Sequence, residues 1–279
     1  MSRTLARALH AAAHVATSAM QPARRAATLA LLHEATLQEV RVPTSAGIIR
    51  VMCPSSRALH DPHGFGRDEP ETVAWIESLP ADAVLWDVGA NIGLYAMFAA
   101  KRGVRVLAFE PSAASFAALV ASAEANGLDR RIDAYCLALA EAPGLARLEM
   151  ASSAAGHSMH SIAGGPARYS QAVPAISIDR LIADFGAPAP SHIKLDVDGI
   201  EAAILRGGRA ALTGVQQVLV EVEGEAAEAE IPAILFEAGL QYINNGLRPN
   251  GPSLQPPNPG LRPMGPTSRN RLYGRSDRI

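Results

Sequence analysis

Two stretches of this chain bring together residue types that can hold a charged small molecule and handle a proton. The first is Asp87-Val-Gly89-Ala90-Asn91-Ile-Gly93, at the end of the apolar run 84–88. Gly89 lets the chain turn tightly and approach a ligand without a Cβ in the way. Gly93 permits close packing of the helix that follows or of the ligand, and the free N–H groups of that helix's first turn favour a carboxylate or phosphate. Glu110 lies 21 residues beyond Gly89, at the end of the next apolar run and just before Pro111. A carboxylate in that position can accept hydrogen bonds from both hydroxyls of a ribose.

The second stretch is Asp196-Val-Asp198, closing the run 193–197. Two positions apart on an extended chain, these side chains point to the same side. There an acidic group can receive the proton of an acceptor hydroxyl or orient it for attack. Asp196, deeper in the run, is the better candidate for chemistry, while Asp198 or Glu201 can equally cap a helix beginning at Ile200. A divalent metal on Asp196 and Asp198 is a further option, but two carboxylates alone do not argue for one, and no metal is expected. His157 and His160 lie in a Ser-rich stretch where an acceptor-binding lid would sit, which makes His157 a further catalytic candidate. No role is assigned to His60 and His63, His192 reads as a strand-boundary residue, and Trp75 and Trp86 read as core.

The glycine spacing decides between cofactors. A nicotinamide dinucleotide site needs G-x-G-x-x-G, in which the second glycine admits the pyrophosphate. Here the spacing is G-x-x-x-G, with Asn91 two positions after Gly89. That turn has no evident cradle for two phosphates and fits S-adenosylmethionine, which carries a ribose and an amino-acid end but no phosphate. Asp87 and Asn91 would serve the charged amino-acid part. Two rival readings stay open: a nicotinamide-dependent oxidoreductase, and a methyltransferase-like fold kept as a non-catalytic binding module.

These residues need strands that end where helices begin. Apolar runs at 84–88, 104–109, 132–139, 193–197 and 215–222 alternate with helical stretches at 94–101, 112–125, 200–212 and 231–237, and shorter pieces follow at 240–243 and 270–273. Ser112 reads as a helix N-cap and Asn126-Gly127 as a C-cap. Such alternation predicts an α/β fold with a doubly wound, parallel sheet. Ahead of it, residues 37–53 read as a β-hairpin and a short helix starts near Pro70. Residues 248–268 hold seven prolines and three glycines and read as a long surface loop. The expected organisation is an N-terminal helical and hairpin cap over 1–83 and a cofactor-binding domain over 84–279.

Composition narrows the rest. The chain has 279 residues, 48% of them hydrophobic, and a net charge of −2, so no global basic field draws it to nucleic acid. Cys53 and Cys136 form neither a disulfide framework nor a metal-binding pair. No apolar run approaches the roughly 18–20 residues that a membrane span needs. Only two of 25 basic residues are lysines, beside 53 alanines, a bias that suggests a GC-rich coding background. The expectation is a cytoplasmic bacterial protein acting on a small molecule, with no oligomeric state implied. Residues 1–33 lack any acid but carry Arg3, Arg7, Arg24 and Arg25. They read as Ala-rich surface helix, with mitochondrial targeting as the alternative.

The run 87–93, then Ala108-Phe109-Glu110-Pro111, then Ile193-Lys194-Leu195-Asp196-Val197-Asp198-Gly199-Ile200-Glu201 resembles the FkbM-type S-adenosylmethionine-dependent methyltransferases of the Class I superfamily. Glu69-Pro-Glu-Thr72, Ile176-Ser-Ile-Asp179 and Gly207-Gly208 extend the match. Asp198 stands where the family pattern usually has Glu, which shortens the carboxylate's reach by one methylene. The resemblance implies a seven-stranded, Rossmann-like sheet, mostly parallel with its last strand antiparallel. It also implies methyl transfer, commonly to oxygen, in a sugar or secondary-metabolite acceptor. By the same resemblance, Asp87, Gly89, Ala90, Asn91 and Gly93 line the methionine end of the cofactor. Glu110, followed by Pro111, holds the ribose, and residues near Leu139 pack beside the adenine.

Overall fold

A computed structural model of the chain describes residues 2–156, 160–161, 168–222, 224–243 and 270–275. The stretch 248–268 therefore lies outside the described residues. The chain forms two compact units, Met1–Glu39 and Val40–Ile279. The first contains α1 (Ser2–Ala16) and α2 (Pro22–Ala35), the latter with proline in its first turn, where no N–H is needed.

From there the chain runs through the hairpin β1 (Gln38–Thr44) and β2 (Gly47–Cys53), then α3 (His60–Gly64) and α4 (Pro70–Ser78). Strands and helices then alternate as β3 (Val84–Val88), α5 (Leu94–Lys101), β4 (Arg105–Phe109), α6 (Ala113–Ala125) and β5 (Ile132–Tyr135). Four strands follow: β6 (Ala138–Leu139), β7 (Gly144–Met150), β8 (His160–Ser161) and β9 (Tyr169–Ile176). The chain continues through α7 (Ile178–Phe185), β10 (His192–Leu195), α8 (Glu201–Arg206), α9 (Arg209–Leu212), β11 (Gln217–Glu221), α10 (Glu225–Glu237), β12 (Gln241–Tyr242) and β13 (Asn270–Gly274).

The main sheet has seven strands in the order β12-β13-β11-β10-β3-β4-β5, with β13 antiparallel to both its neighbours. This is the α/β, mostly parallel arrangement that the alternation and the resemblance lead one to expect. Alternate residues of β3 serve opposite faces: Leu85 joins one apolar cluster with Trp75, Phe98 and Leu119, while Trp86 and Val88 join another with Phe109, Ile193 and Leu205. Both indoles are fully buried and satisfied, Trp75 Nε1 donating to Gln217 Oε1 at 2.8 Å and Trp86 Nε1 to the Pro188 carbonyl at 3.0 Å. Strand order reverses between β3 and β10, which opens a crevice at the carboxyl ends of these strands.

Several local expectations need correction. The run 132–139 is not one strand: β5 stays in the main sheet, whereas β6 joins a second sheet of order β6-β9-β7-β8. The helix expected over 200–212 breaks at Gly207-Gly208 into α8 and α9. A Cβ on Gly207 would overlap the Ala140 carbonyl, so the break lets this turn meet the end of β6. Ser112 occupies the N-cap position of α6 without a side-chain capping bond, and its N–H serves Glu110 instead.

Asn126, the C-cap of α6, fastens the hairpin. Its Oδ1 accepts from the Arg50 N–H at 3.0 Å, and its Nδ2 donates to the Arg50 and Ser122 carbonyls at 2.7 Å each. Replacing it by alanine strands these groups. Asn126→Ala is expected to cost about 1–3 kcal/mol, a fall of about 2–6 °C in Tm by scanning calorimetry.

Candidate functional site

A cavity of about 360 Å³ fills the crevice at the ends of β3, β4, β10 and β11. Its floor is the turn after β3. Gly89 has φ +81°, and a Cβ there would overlap the carbonyl oxygen of Asp196. This glycine therefore admits the chain leaving β10, and it also lines the cavity. Its N–H and that of Ala90 both donate to the Phe109 carbonyl, at 3.0 and 3.1 Å, and bind the turn to β4. Asn91 adopts φ +51°, a left-handed conformation that Asn tolerates better than most side chains. Gly93, also left-handed at φ +83°, does not line the cavity; its bare α-carbon faces the Leu119 side chain of α6.

Glu110 is buried, and its carboxylate clasps two loops. Oε2 accepts from the Asn91 N–H at 2.8 Å and Oε1 from the Ser112 N–H at 2.7 Å. Burial pushes its pKa up to about 7 against the pull of those two N–H groups. Each oxygen keeps a further lone pair and Glu110 lines the cavity, which suits a vicinal diol. Asp87 lies deeper. Both of its oxygens are buried without a hydrogen-bond partner, as is Oδ1 of Asn91. Burial lifts Asp87 to about 6 even though the Lys194 charge opposes it, and the Ala96 N–H, the smallest influence, falls short of a formed hydrogen bond. Three acceptor oxygens without donors call for a ligand bearing N–H groups and positive charge.

Asp196 follows β10, where its N–H donates to the Val88 carbonyl at 3.1 Å. Its carboxylate accepts a 2.8 Å bond from the buried Lys194 Nζ. Burial raises the Asp196 pKa, but the Lys194 charge, with hydrogen bonds from Lys194 and Glu221, brings it below the usual carboxylate range. Glu221, at the end of β11, is lifted to about 8 by burial and by Asp196. The two carboxyls are therefore pushed apart, Asp196 toward its charged form and Glu221 toward its neutral one. Burial works against the Lys194 charge, and Asp196, Asp87 and Glu69 more than offset it. The Tyr95 ring lies 5.3 Å from Nζ.

Asp198 also lines the cavity, but not as expected: β10 ends at Leu195 and Asp198 has φ +54°, so the two aspartates do not share one strand face. Glu201 does not cap α8. It is buried, and its Oε1 accepts from the N–H groups of Val197 at 3.3 Å and Gly199 at 3.1 Å, which holds the loop carrying Asp198. Ala90, Pro111 and Leu139 line the cavity with Leu137 and Phe109. His157 lies outside the described residues. His192 is buried within β10, and burial pushes its pKa down to about 4.

Sequence reasoning assigned no role to Lys194, Glu221, Tyr95, Glu69, His60 or Asp61, all of which line the cavity. Asp61 Oδ2 accepts from Asn91 Nδ2 at 3.2 Å. Burial lifts Asp61 to about 6, with His60 pulling the other way and Glu69 and Asp196 adding to the rise. Among the described residues no group of three or more His, Cys, Asp or Glu side chains is arranged to hold a metal ion. No helix among them is long and apolar enough to cross a membrane.

Strand order and crevice together define a Rossmann-like methyltransferase fold. The methyltransferase FkbM domain matches residues 87–242, and the chain belongs to that family. It is 31% identical over 166 residues to the hexuronic acid methyltransferase AglP of Haloferax volcanii, covering 59% of this chain and 66% of the relative, just under two thirds of its length. Among solved structures, a methyltransferase FkbM from Methylobacillus flagellatus superposes with a TM-score of 0.46 at 18% identity, over 71% of this chain and 45% of that one. The magnesium protoporphyrin IX methyltransferase ChlM of Synechocystis, solved with bound SAM, gives 0.44 at 13% identity, over 80% and 85%.

Four carboxyl groups here, on Asp61, Asp87, Glu110 and Glu221, have pKa values raised by burial. Between their ordinary values near 4 and these raised ones, the folded protein holds protons that the unfolded chain has released. Stability from these groups is thus full below about pH 4 and is lost as pH rises through about 6 to 8. Asp196 and His192, both with lowered pKa values, run the other way, but above about pH 5 the four raised carboxyls outweigh the one imidazole. The Tm of the ligand-free protein is expected to fall between about pH 5 and about pH 8. A Tm that climbs steadily over that range contradicts the assignment.

Proposed function

We propose that the protein transfers the methyl group of S-adenosylmethionine to a hydroxyl of a sugar or related natural product. One observation carries this reading: the three donorless oxygens of Asp87 and Asn91, in a cavity lined by eight carboxyl groups and the single lysine Lys194. S-adenosylmethionine brings an ammonium with three N–H donors and a sulfonium charge, and both suit such a field. A nicotinamide dinucleotide would carry two phosphates into the same acidic cavity, which speaks against that alternative. Membership of a methyltransferase family favours catalysis over a purely binding module.

In this reading Asp87 and Asn91 hold the ammonium, Glu110 takes the ribose hydroxyls, and Leu137, Leu139 and Phe109 flank the base. When bound, S-adenosylmethionine supplies an activated methyl group and a thioether leaving group. The chain's own task is to hold an acceptor oxygen in line with that methyl and to take its proton. Asp196, kept ionised by Lys194, accepts the proton as the new O–C bond forms, and the hydrogen bond from Glu221 spreads the charge. A hydroxyl fits beside this pair, whereas an acceptor carboxylate meets two acids. The likeness to a hexuronic acid methyltransferase makes uronic acids and their glycosides the first acceptors to try.

Titration calorimetry with S-adenosylmethionine tests the cofactor half. Glu110→Ala and Asp87→Asn are each expected to weaken binding at least about tenfold, and affinities within a factor of about two of the wild type would refute these assignments. For the chemical half, Asp196→Asn is expected to keep cofactor affinity and to lower kcat at least about a hundredfold. The methyl product on glucuronic acid or its glycosides is expected to be a base-stable ether. A base-labile ester would move the reaction from hydroxyl to carboxylate.

A further inference from the structure

The net charge of −2 conceals a segregation. Residues 1–33 carry four arginines and no acid, which leaves 21 basic and 27 acidic residues in the rest of the chain. Within this segment α1 is strongly two-sided. At 3.6 residues per turn, Arg3, Arg7, His10 and His14 fall within an arc of about 60°, and Ala8, Ala12, Leu5, Ala16 and Leu9 fall within about 100° on the opposite side. The leucines are open to solvent, Leu5 at 61% and Leu9 at 63% exposure, and Val15 beside them reaches 72%. Arg3 and Arg7 are exposed as well. The rings of His10 and His14 stand 4.5 Å apart on the basic side.

Each side of this helix asks something of a partner. The apolar side needs an apolar environment, and the arginine side needs anionic groups at the same level. A nucleic acid would satisfy the arginines and leave Leu5 and Leu9 in water. A second α1 would satisfy the leucines but offers no acid to either arginine. The boundary between anionic headgroups and acyl chains meets both needs at once. At 15 residues α1 is too short to span a bilayer, so it can only lie along the surface.

We propose that α1 is a membrane-surface helix that docks the protein on anionic lipid, its Leu-Ala side toward the acyl boundary and Arg3 and Arg7 among the headgroups. The apolar side is shallow, so charge supplies much of the affinity and salt weakens the attachment. The helix contributes no residue to the cavity. Docking is therefore separable from cofactor binding.

The test is co-sedimentation of the full chain with vesicles of phosphatidylcholine alone and of phosphatidylcholine containing about 30% phosphatidylglycerol. Binding to the anionic vesicles is expected to exceed binding to neutral ones at least about fivefold and to fall away in about 0.5 M salt. The double variant Arg3→Glu/Arg7→Glu should weaken it at least about tenfold, and Leu5→Gln/Leu9→Gln should weaken it comparably. Both variants should retain wild-type Tm and S-adenosylmethionine affinity. No preference for anionic vesicles, or binding untouched by the leucine substitutions, overturns the proposal. Self-association that the leucine substitutions abolish, without vesicle binding, also overturns it and assigns the helix to a second copy of the chain.

Discussion

The 2.8 Å ion pair between Lys194 and Asp196 joins a fully buried ammonium to a carboxylate at the mouth of the sheet, and the electrostatics of the cavity hang on it. Lys194 sits in β10 between Ile193 and Leu195, both committed to the apolar cluster on one face of the sheet. Alternation turns its side chain to the other face, toward Tyr95 of α5 and Asp87 of β3. A buried charge is tolerable only when paired, and removal of one partner costs far more than the pair contributes. Here one ammonium offsets several acids. Lys194 favours the charged form of Asp196, and burial together with Asp196 favours the neutral form of Glu221.

The backbone around this pair is equally constrained. Gly89 abuts the Asp196 carbonyl, the Asp196 N–H bonds to Val88, and Gly89 and Ala90 bond to Phe109. Glu110 then joins the turn after β3 to the start of α6 through Asn91 and Ser112. Three neighbouring strand ends are thus locked before any ligand arrives, while three oxygens on Asp87 and Asn91 stay without donors. Such a site is rigid in frame and unsatisfied in its polar groups, the condition in which a ligand's hydrogen bonds count most.

Much of this frame was legible in the residues. Apolar runs ending in Asp87 and Glu110, with glycines between, mark strand-to-helix turns because few other sequences can make them. What escaped was what tertiary pairing alone decides. A single apolar run over 132–139 carries no sign that its second half pairs with β9. Glu221 sits after an apolar strand with no motif around it, and only the placement of β11 beside β10 makes it a neighbour of Asp196. Lys194 was visible as a lysine among apolar residues, yet its meaning depends on which face it turns to. The break at Gly207-Gly208 did have a local signal, since paired glycines weaken any helix.

The family match begins at Asp87, yet the cavity does not. His60 and Asp61 of α3, with Gly64, Asp68 and Glu69, form a wall drawn from the lead-in to the sheet. Asp61 even bonds to Asn91 in the heart of the matched segment. Two chains can therefore share everything from β3 to β12 and still present different walls to whatever enters. The cavity thus has two tenants on one lease: the matched segment supplies its floor, and a stretch of about ten residues ahead of it supplies one wall.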